Sequence, residues 1–167
     1  TDGPISVPDF ADWKNQSQSF EQMAAFVPIG AILVSNDEPE RVHAAYVTTD
    51  FFPLLRTAAF RGRALQPDDY EESSDYVALL SYGLWQRTLG GASNLSGRRL
   101  TFQNKSYAVI GVMPPSFNFP PGTDAWIPRE INGRPVLPSR TSHNWSVIAR
   151  IKNGISLETA SSNVNAI

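Results

Sequence analysis

The chain has 167 residues, a formal net charge of −2, 41% hydrophobic residues and 18% charged residues. That length fits one ordinary domain or two small lobes sharing a core, and so apolar a composition excludes a disordered chain. Cations scattered mostly singly exclude a grip on nucleic acid or an anionic membrane surface, and the lack of Cys excludes disulfides, thiolate metal sites and a cysteine nucleophile.

Pro8 suits the first turn of a helix, and Phe10, Trp13, Phe20 and Ala24 follow on one helical face. Polar Ser17 takes the intermediate place on that face, which predicts a break near residues 16–19. The nearly apolar run from Met23 to Val34 contains Pro28 and Gly30 and is shorter than the roughly 20 residues of a spanning helix. It reads as a buried strand over residues 26–34, followed by a turn cluster at residues 35–39 and an antiparallel partner strand at residues 41–48. Asp50 is placed to cap a short helix through Leu55.

Residues 61–75 read as loop, holding Gly62, Pro67 and the acids Asp68, Asp69, Glu71, Glu72 and Asp75. Residues 76–80 read as a buried strand, after which Ser81 caps a helix with Tyr82, Trp85 and Leu89 inward and Gly90-Gly91 at its end. Leu100 and Phe102, then Tyr107 and Val109, alternate with polar neighbours around a turn at Asn104-Lys105, the pattern of a hairpin. The stretch from Pro114 to Gly122 holds four prolines and cannot continue a ladder. A short strand around Trp126, a loop over residues 129–142, and a strand at residues 145–151 follow. Ser156 caps a last helix with Leu157, Ala160, Val164 and Ile167 on one face. This order predicts an α+β fold with mixed, largely antiparallel sheets and packed helices.

The residues that could carry chemistry do not form a reactive set. His43 lies in a predicted strand and His143 at a strand start, with no Gly-x-Ser-x-Gly elbow to place a nucleophile beside either. The acidic loop lacks the alternating ligands and the Gly that a calcium site needs, so it reads as a solvated loop. Neither a Walker loop nor a dinucleotide fingerprint occurs, and no catalytic, cofactor-binding or metal-binding residue is assigned. Trp13, Trp85 and Trp126 read as core residues, whereas Phe117 and Phe119 sit among prolines in a stiff loop and are candidates for partner contact. The sequons at Asn15, Asn94, Asn104 and Asn144 are taken as incidental.

The run Val77-Ala78-Leu79-Leu80-Ser81-Tyr82-Gly83-Leu84-Trp85-Gln86-Arg87 resembles the extracytoplasmic core domain of MacB-type ABC transporter permeases, the macrolide-exporter and FtsX-like class. So do Ser106-Tyr107-Ala108-Val109-Ile110-Gly111-Val112-Met113-Pro114-Pro115, Val47-Thr48-Thr49-Asp50-Phe51-Phe52 and Asn144-Trp145-Ser146-Val147-Ile148-Ala149-Arg150. The blocks occur in order and span nearly the whole chain. Two departures stand out: Arg56 sits where such proteins usually turn with Gly, and Gly91-Ala92-Ser93-Asn94 replaces a more acidic link.

The resemblance implies a periplasmic domain of a bacterial inner-membrane protein, with a porter-like lobe (1–49 and 140–167) and a smaller inserted lobe (50–139). It implies a chain cut from a longer one whose membrane helices lie outside both ends. It further implies a non-catalytic part that moves with those helices when a cytoplasmic ATPase subunit binds nucleotide. The partners it implies are the transmembrane helices, the second permease half and, in some relatives, a periplasmic adaptor, with no cofactor. The alternative from a different class is a periplasmic binding module for a peptide, lipid or drug, and a hydrolase using His43 or His143 is the third reading.

Overall fold

The computed structural model describes residues 7–35, 38–71, 74–130 and 145–165. Helix α1 (Val7–Gln16) carries Pro8 in its first turn, where a missing N–H costs nothing, and buries Phe10 with Trp13 half-buried. It ends as Ser17 N–H donates to the Trp13 carbonyl at 3.0 Å. Strand β1 (Phe20–Ser35) starts soon after, so the helical reading of Phe20 and Ala24 is corrected. The first part of β1 pairs antiparallel with β8 (Ser146–Ile151), from Phe20 opposite Ile151 to Phe26 opposite Ser146. Met23 to Val27 are all buried, and a strand covered on both faces loses the period-two signature that would have identified it.

From Phe26 onward β1 pairs with β2 (Glu38–Val47), and α2 (Phe51–Leu55) follows. Asp50 does occupy the cap position of α2, but its side chain makes no capping bond and instead pairs with Lys14 of α1 at 2.6 Å. Arg56 closes α2 in the left-handed region (φ 53°), the conformation for which Gly is the usual residue. Residues 61–75 are not loop throughout. They contain β3 (Arg61–Gly62) and a 3₁₀ turn at Pro67–Tyr70, because β3 takes main-chain bonds from β6 (Lys105–Val112) that no local pattern announces.

Strand β4 (Val77–Leu80) leads to α3 (Tyr82–Leu89), where Ser81 Oγ accepts from Leu84 N–H at 3.1 Å and Gly90 closes the helix at φ 59°. Leu84 joins Trp85 as the most deeply buried residue of α3, while Tyr82 and Leu89 are only partly covered. Strand β5 (Arg99–Phe102) and β6 form the expected hairpin with the turn one residue earlier. Gln103 and Asn104 both take positive φ (50° and 62°) between Phe102 and its partner Lys105, which is the backbone of a two-residue hairpin turn. After β7 (Ala125–Pro128) and β8 comes α4 (Leu157–Asn165), capped by Ser156 Oγ, which accepts from Thr159 N–H at 3.1 Å. Ala160 is buried, but Leu157 is 75% exposed, so the inner face expected of α4 is narrower than its apolar spacing suggested. The expected loop over residues 129–142, His143 and Ile167 lie largely or wholly outside the described residues.

Among the described residues the strands form one mixed sheet of eight, and the fold is α+β. β1–β2, β2–β7, β7–β4, β4–β6, β6–β5 and β5–β1 are all paired, so six strands form a closed circuit. β2–β7 and β4–β6 are parallel and the other four antiparallel. One core cluster takes alternate residues from all six: Ala25, Val27, Ala31 and Leu33; Val42, Ala44 and Tyr46; Ala125 and Ile127; Ala78 and Leu80; Tyr107 and Val109; Leu100 and Phe102. That is the interior of a small barrel. In β6 the inward parity shifts from Val109 to Val112, where the register with β4 slips between Ala78 and Leu79, as a bulge does. A second cluster, with Phe26, Val47, Leu79, Met113 and Trp126, lies on the opposite faces of these strands under α2.

Candidate functional site

The loop from Pro114 to Asp124 joins β6 to β7 and runs over that second cluster. Its prolines prevent sheet pairing, so its shape is set by local turns and by its aromatic residues. Phe117 N–H donates to the Pro114 carbonyl at 2.9 Å, and Gly122 N–H (φ 77°) donates to Asn118 Oδ1 at 2.7 Å. Thr123, itself buried, donates to the Pro120 carbonyl through its hydroxyl at 2.8 Å. The Phe119–Pro120 peptide is cis.

Phe117 and Phe119 are half-buried and turned onto the body of the domain. The Phe117 ring centre lies 5.2 Å from Trp126 and 5.9 Å from Phe52. That of Phe119 lies 5.2 Å from Phe26 and 6.0 Å from Phe51. Trp126, fully buried, donates Nε1–H to the Phe119 carbonyl at 2.9 Å. Pro115, Ser116, Asn118, Pro121 and Gly122 form the exposed side of the loop.

The loop's far end is held by a residue that sequence reasoning passed over. Asp124 Oδ1 pairs with Arg87 of α3 at 3.2 Å, and Arg87 also reaches Glu40 of β2 at 2.9 Å. The Asp124 carbonyl accepts from Ser81 N–H at 2.7 Å. Burial alone would lower the Arg87 pKa, but its hydrogen bonds to Glu40 and Asp124 outweigh that and raise it. The available signal was an acid directly ahead of a short buried strand, which is common enough to carry no prediction by itself.

The other candidate residues are not brought together. His43 is exposed on β2, and only its main chain is tied to Asp124. In the acidic loop, Asp69 is bridged to Arg63 and Asp75 to Arg99, while Asp68 and Glu71 are exposed. Among the described residues no group of three or more His, Asp or Glu side chains is placed to hold a metal ion. Burial, with Glu130, Asp69 and Asp50 nearby, pushes the Tyr70 hydroxyl far above its ordinary range, so it stays neutral. No described helix is long and apolar enough to cross a membrane.

Comparison with known proteins bears on the whole chain. The model of the MacB-like periplasmic core domain matches residues 1–167. The periplasmic region of MacB from Actinobacillus actinomycetemcomitans is similar in fold, with a TM-score of 0.77 at 14% identity, covering 98% of this chain and 72% of that one. The extracellular domain of the noncanonic ABC-type transporter YknZ from Gram-positive bacteria gives 0.73 at 15% identity, covering 98% and 80%. A domain of a putative permease protein from Porphyromonas gingivalis gives 0.63 at 15% identity, covering 96% and 67%. Comparison with curated protein sequences gave no match. The chain belongs to the MacB-like periplasmic core domain family and is a non-catalytic, extracytoplasmic domain of an ABC transporter permease.

Proposed function

We propose that this domain is a rigid mechanical element of its transporter. Movement of the membrane helices, driven by nucleotide at a cytoplasmic ATPase subunit, is carried by the domain into rearrangement and partner contact on the extracytoplasmic side. The closed six-strand circuit is the observation that supports this reading. The two proposed lobes, 1–49 with 140–167 and 50–139, are tied by β1–β5 and β2–β7 pairing, so they do not part without breaking main-chain bonds. A densely packed closed sheet has low compressibility and passes displacement on with little internal give.

The proposed contact surface is the proline loop, with Phe117 and Phe119 as its anchors and Pro115, Ser116, Asn118 and Pro121 as its outer side. A loop already held in one shape loses little entropy on docking. The proposed partner is the second permease half or a periplasmic adaptor. The test uses the full-length transporter in vesicles, with a photocrosslinker in place of Asn118. Crosslink yield to the partner should differ between ATP-bound and nucleotide-free states, and equal yields in every nucleotide state would remove the mechanical reading.

The second reading, a binding module for a peptide, lipid or drug, has one observation behind it. A cleft of about 220 Å³ lies between α1 and β1, lined by Trp13, Lys14, Phe20, Met23 and Asp50. Ser17, also on its wall, has a buried hydroxyl with no hydrogen-bond partner. A compound that raises the thermal midpoint of the chain, but not of a Ser17→Val variant, would favour that reading.

A further inference from the structure

The cations that look scattered in the sequence are brought into a row by the fold. On one edge of β6, β5 and β3 lie end to end. Arg99 pairs with Ala108, the Arg98 carbonyl accepts from Val109 N–H at 2.9 Å, Arg63 N–H donates to the Ile110 carbonyl at 3.0 Å, and Arg61 pairs with Val112. Four arginines from two distant segments thus stand beside four of the five residues from Ala108 to Val112, a span of roughly 13 Å at the usual strand rise. All four are exposed, and Arg63, Arg98 and Arg99 line one groove of about 360 Å³ together with Leu95 and Ile110. At the far end Phe60 is 48% exposed, with the Arg61 guanidinium 5.5 Å from its ring centre.

Two of these guanidiniums already hold carboxylates in forked geometry. Arg63 donates to both oxygens of Asp69 at 2.6 and 2.8 Å, and Arg99 to both oxygens of Asp75 at 2.7 and 3.1 Å. Arg61 and Arg98 make no ion pair among the described residues. Among the described residues two of the four arginines are thus neutralised by the chain's own acids, and Arg61 and Arg98, one on each side of Arg63, are left for an external anion. Forked guanidinium–carboxylate pairs combine charge with direction, so such a row recognises carboxylates in line.

We propose that this row docks an acidic, extended segment of a partner protein, whose carboxylates pair with Arg61 and Arg98. This surface is distinct from the proline loop and does not depend on the mechanical reading. A protein segment fits better than a lipid surface because the arginines stand at fixed strand spacing, which an extended chain matches and a fluid layer of headgroups does not. The main-chain groups of Val109 and Ile110 on this edge are already used, so no strand is added to β6 here, and the proposed contact is through the arginine side chains.

The test titrates a fluorescent hexaglutamate peptide into the chain at low salt, read by anisotropy and by amide chemical shifts. Saturable binding should shift the amides of Arg61, Arg63, Arg98 and Arg99. The double variant Arg61→Gln with Arg98→Gln should lose affinity roughly tenfold or more, as charge-assisted bonds predict. Asp69→Asn, which releases Arg63, should tighten binding, and Arg41→Gln, an exposed arginine on β2, should leave it unchanged. Absence of saturable binding would overturn the proposal, as would an equal loss in Arg41→Gln, which would mean general charge attraction. Vesicles of phosphatidylcholine with about a quarter phosphatidylglycerol serve as the lipid arm. If they bind through Arg61 and Arg98 while hexaglutamate does not, the row belongs to a lipid surface and the proposal falls.

Discussion

Asp124 and His43 clasp each other twice: His43 N–H donates to Asp124 Oδ2 at 3.0 Å, and Asp124 N–H donates to the His43 carbonyl at 2.7 Å. The end of the proline loop is thereby fastened to β2 just before β7 joins the same strand in parallel. With Arg87 on its other oxygen, one carboxylate links the loop, β2 and α3.

Asp124→Ala should destabilise the domain by about 2 kcal/mol, since it leaves a main-chain donor and Arg87 short of a partner. Asp124→Asn, which keeps an oxygen for His43, should cost about half as much. Urea denaturation with an unchanged m-value would check both.

Phe117→Ala and Phe119→Ala should each cost about 1–3 kcal/mol, because both rings fill space against α2, β1 and β7. Trp126→Phe should cost about 1 kcal/mol through the orphaned Phe119 carbonyl. Calorimetric midpoints equal to the parent's would mean that the rings do not anchor the loop.

Acid should loosen the acidic loop through Asp69 more than through Asp75. Burial alone would raise the Asp69 carboxyl, but hydrogen bonds from Arg63 and the Gln66 N–H outweigh that and hold it below the usual carboxylate range. Its folded value is therefore below the unfolded one. The contribution is fully present above about pH 4 and is lost as pH falls through the folded value. Hydrogen bonds from Arg99 lower Asp75 in the same direction. The Asp69 side chain is only 8% exposed, whereas that of Asp75 is 60% exposed and screened. Asp69→Asn should flatten the acid limb of a stability–pH curve, and Asp75→Asn should barely alter it.

Gly111→Ala should cost about 1–3 kcal/mol. A Cβ there would run into the Arg63 carbonyl and come within 2.7 Å of Leu79 Cδ2, forcing β3 away from β6. Gly30→Ala, with nothing within 4 Å of the added atom, is the matched control. Hydrogen exchange should find the Arg63 amide deprotected in the first variant only.

Arg56→Gly should be neutral or stabilising by up to about 1 kcal/mol, since an L residue at positive φ gives up its strain while Gly adds unfolded-state entropy. The substitution also removes the ion pair between Arg56 and Glu21, which is long, at 3.7 Å, and exposed on both sides. A lower thermal midpoint would show that this ion pair matters more than the backbone.

Local chemistry was legible because each signal lies within a few residues of what it controls. Ser81 and Ser156 cap their helices and Gly90 closes α3 as their positions suggested. Leu100, Phe102, Tyr107 and Val109 alternate inward along a hairpin whose turn is displaced by one residue. The ordered blocks around Val77 and Ser106 carried the family. Phe20 and Ala24 misled because their spacing suits a helix, and only pairing with β8 makes a strand of them. Leu157 misled in the opposite way, since an apolar place on a helix does not say whether anything packs there.

By itself the sequence determined the α+β class, the caps of α3 and α4, and most of the buried apolar set, all of which follow from propensities and periodicities acting along the chain. Tertiary structure alone decided the closing of β1, β2, β7, β4, β6 and β5 into a circuit, the clasp of Asp124 on His43 and the row of four arginines on β6. The physical reason is that main-chain hydrogen bonds between strands are the same whatever the side chains. Which distant segments pair, and in what register, is settled by how the whole set of buried faces packs together.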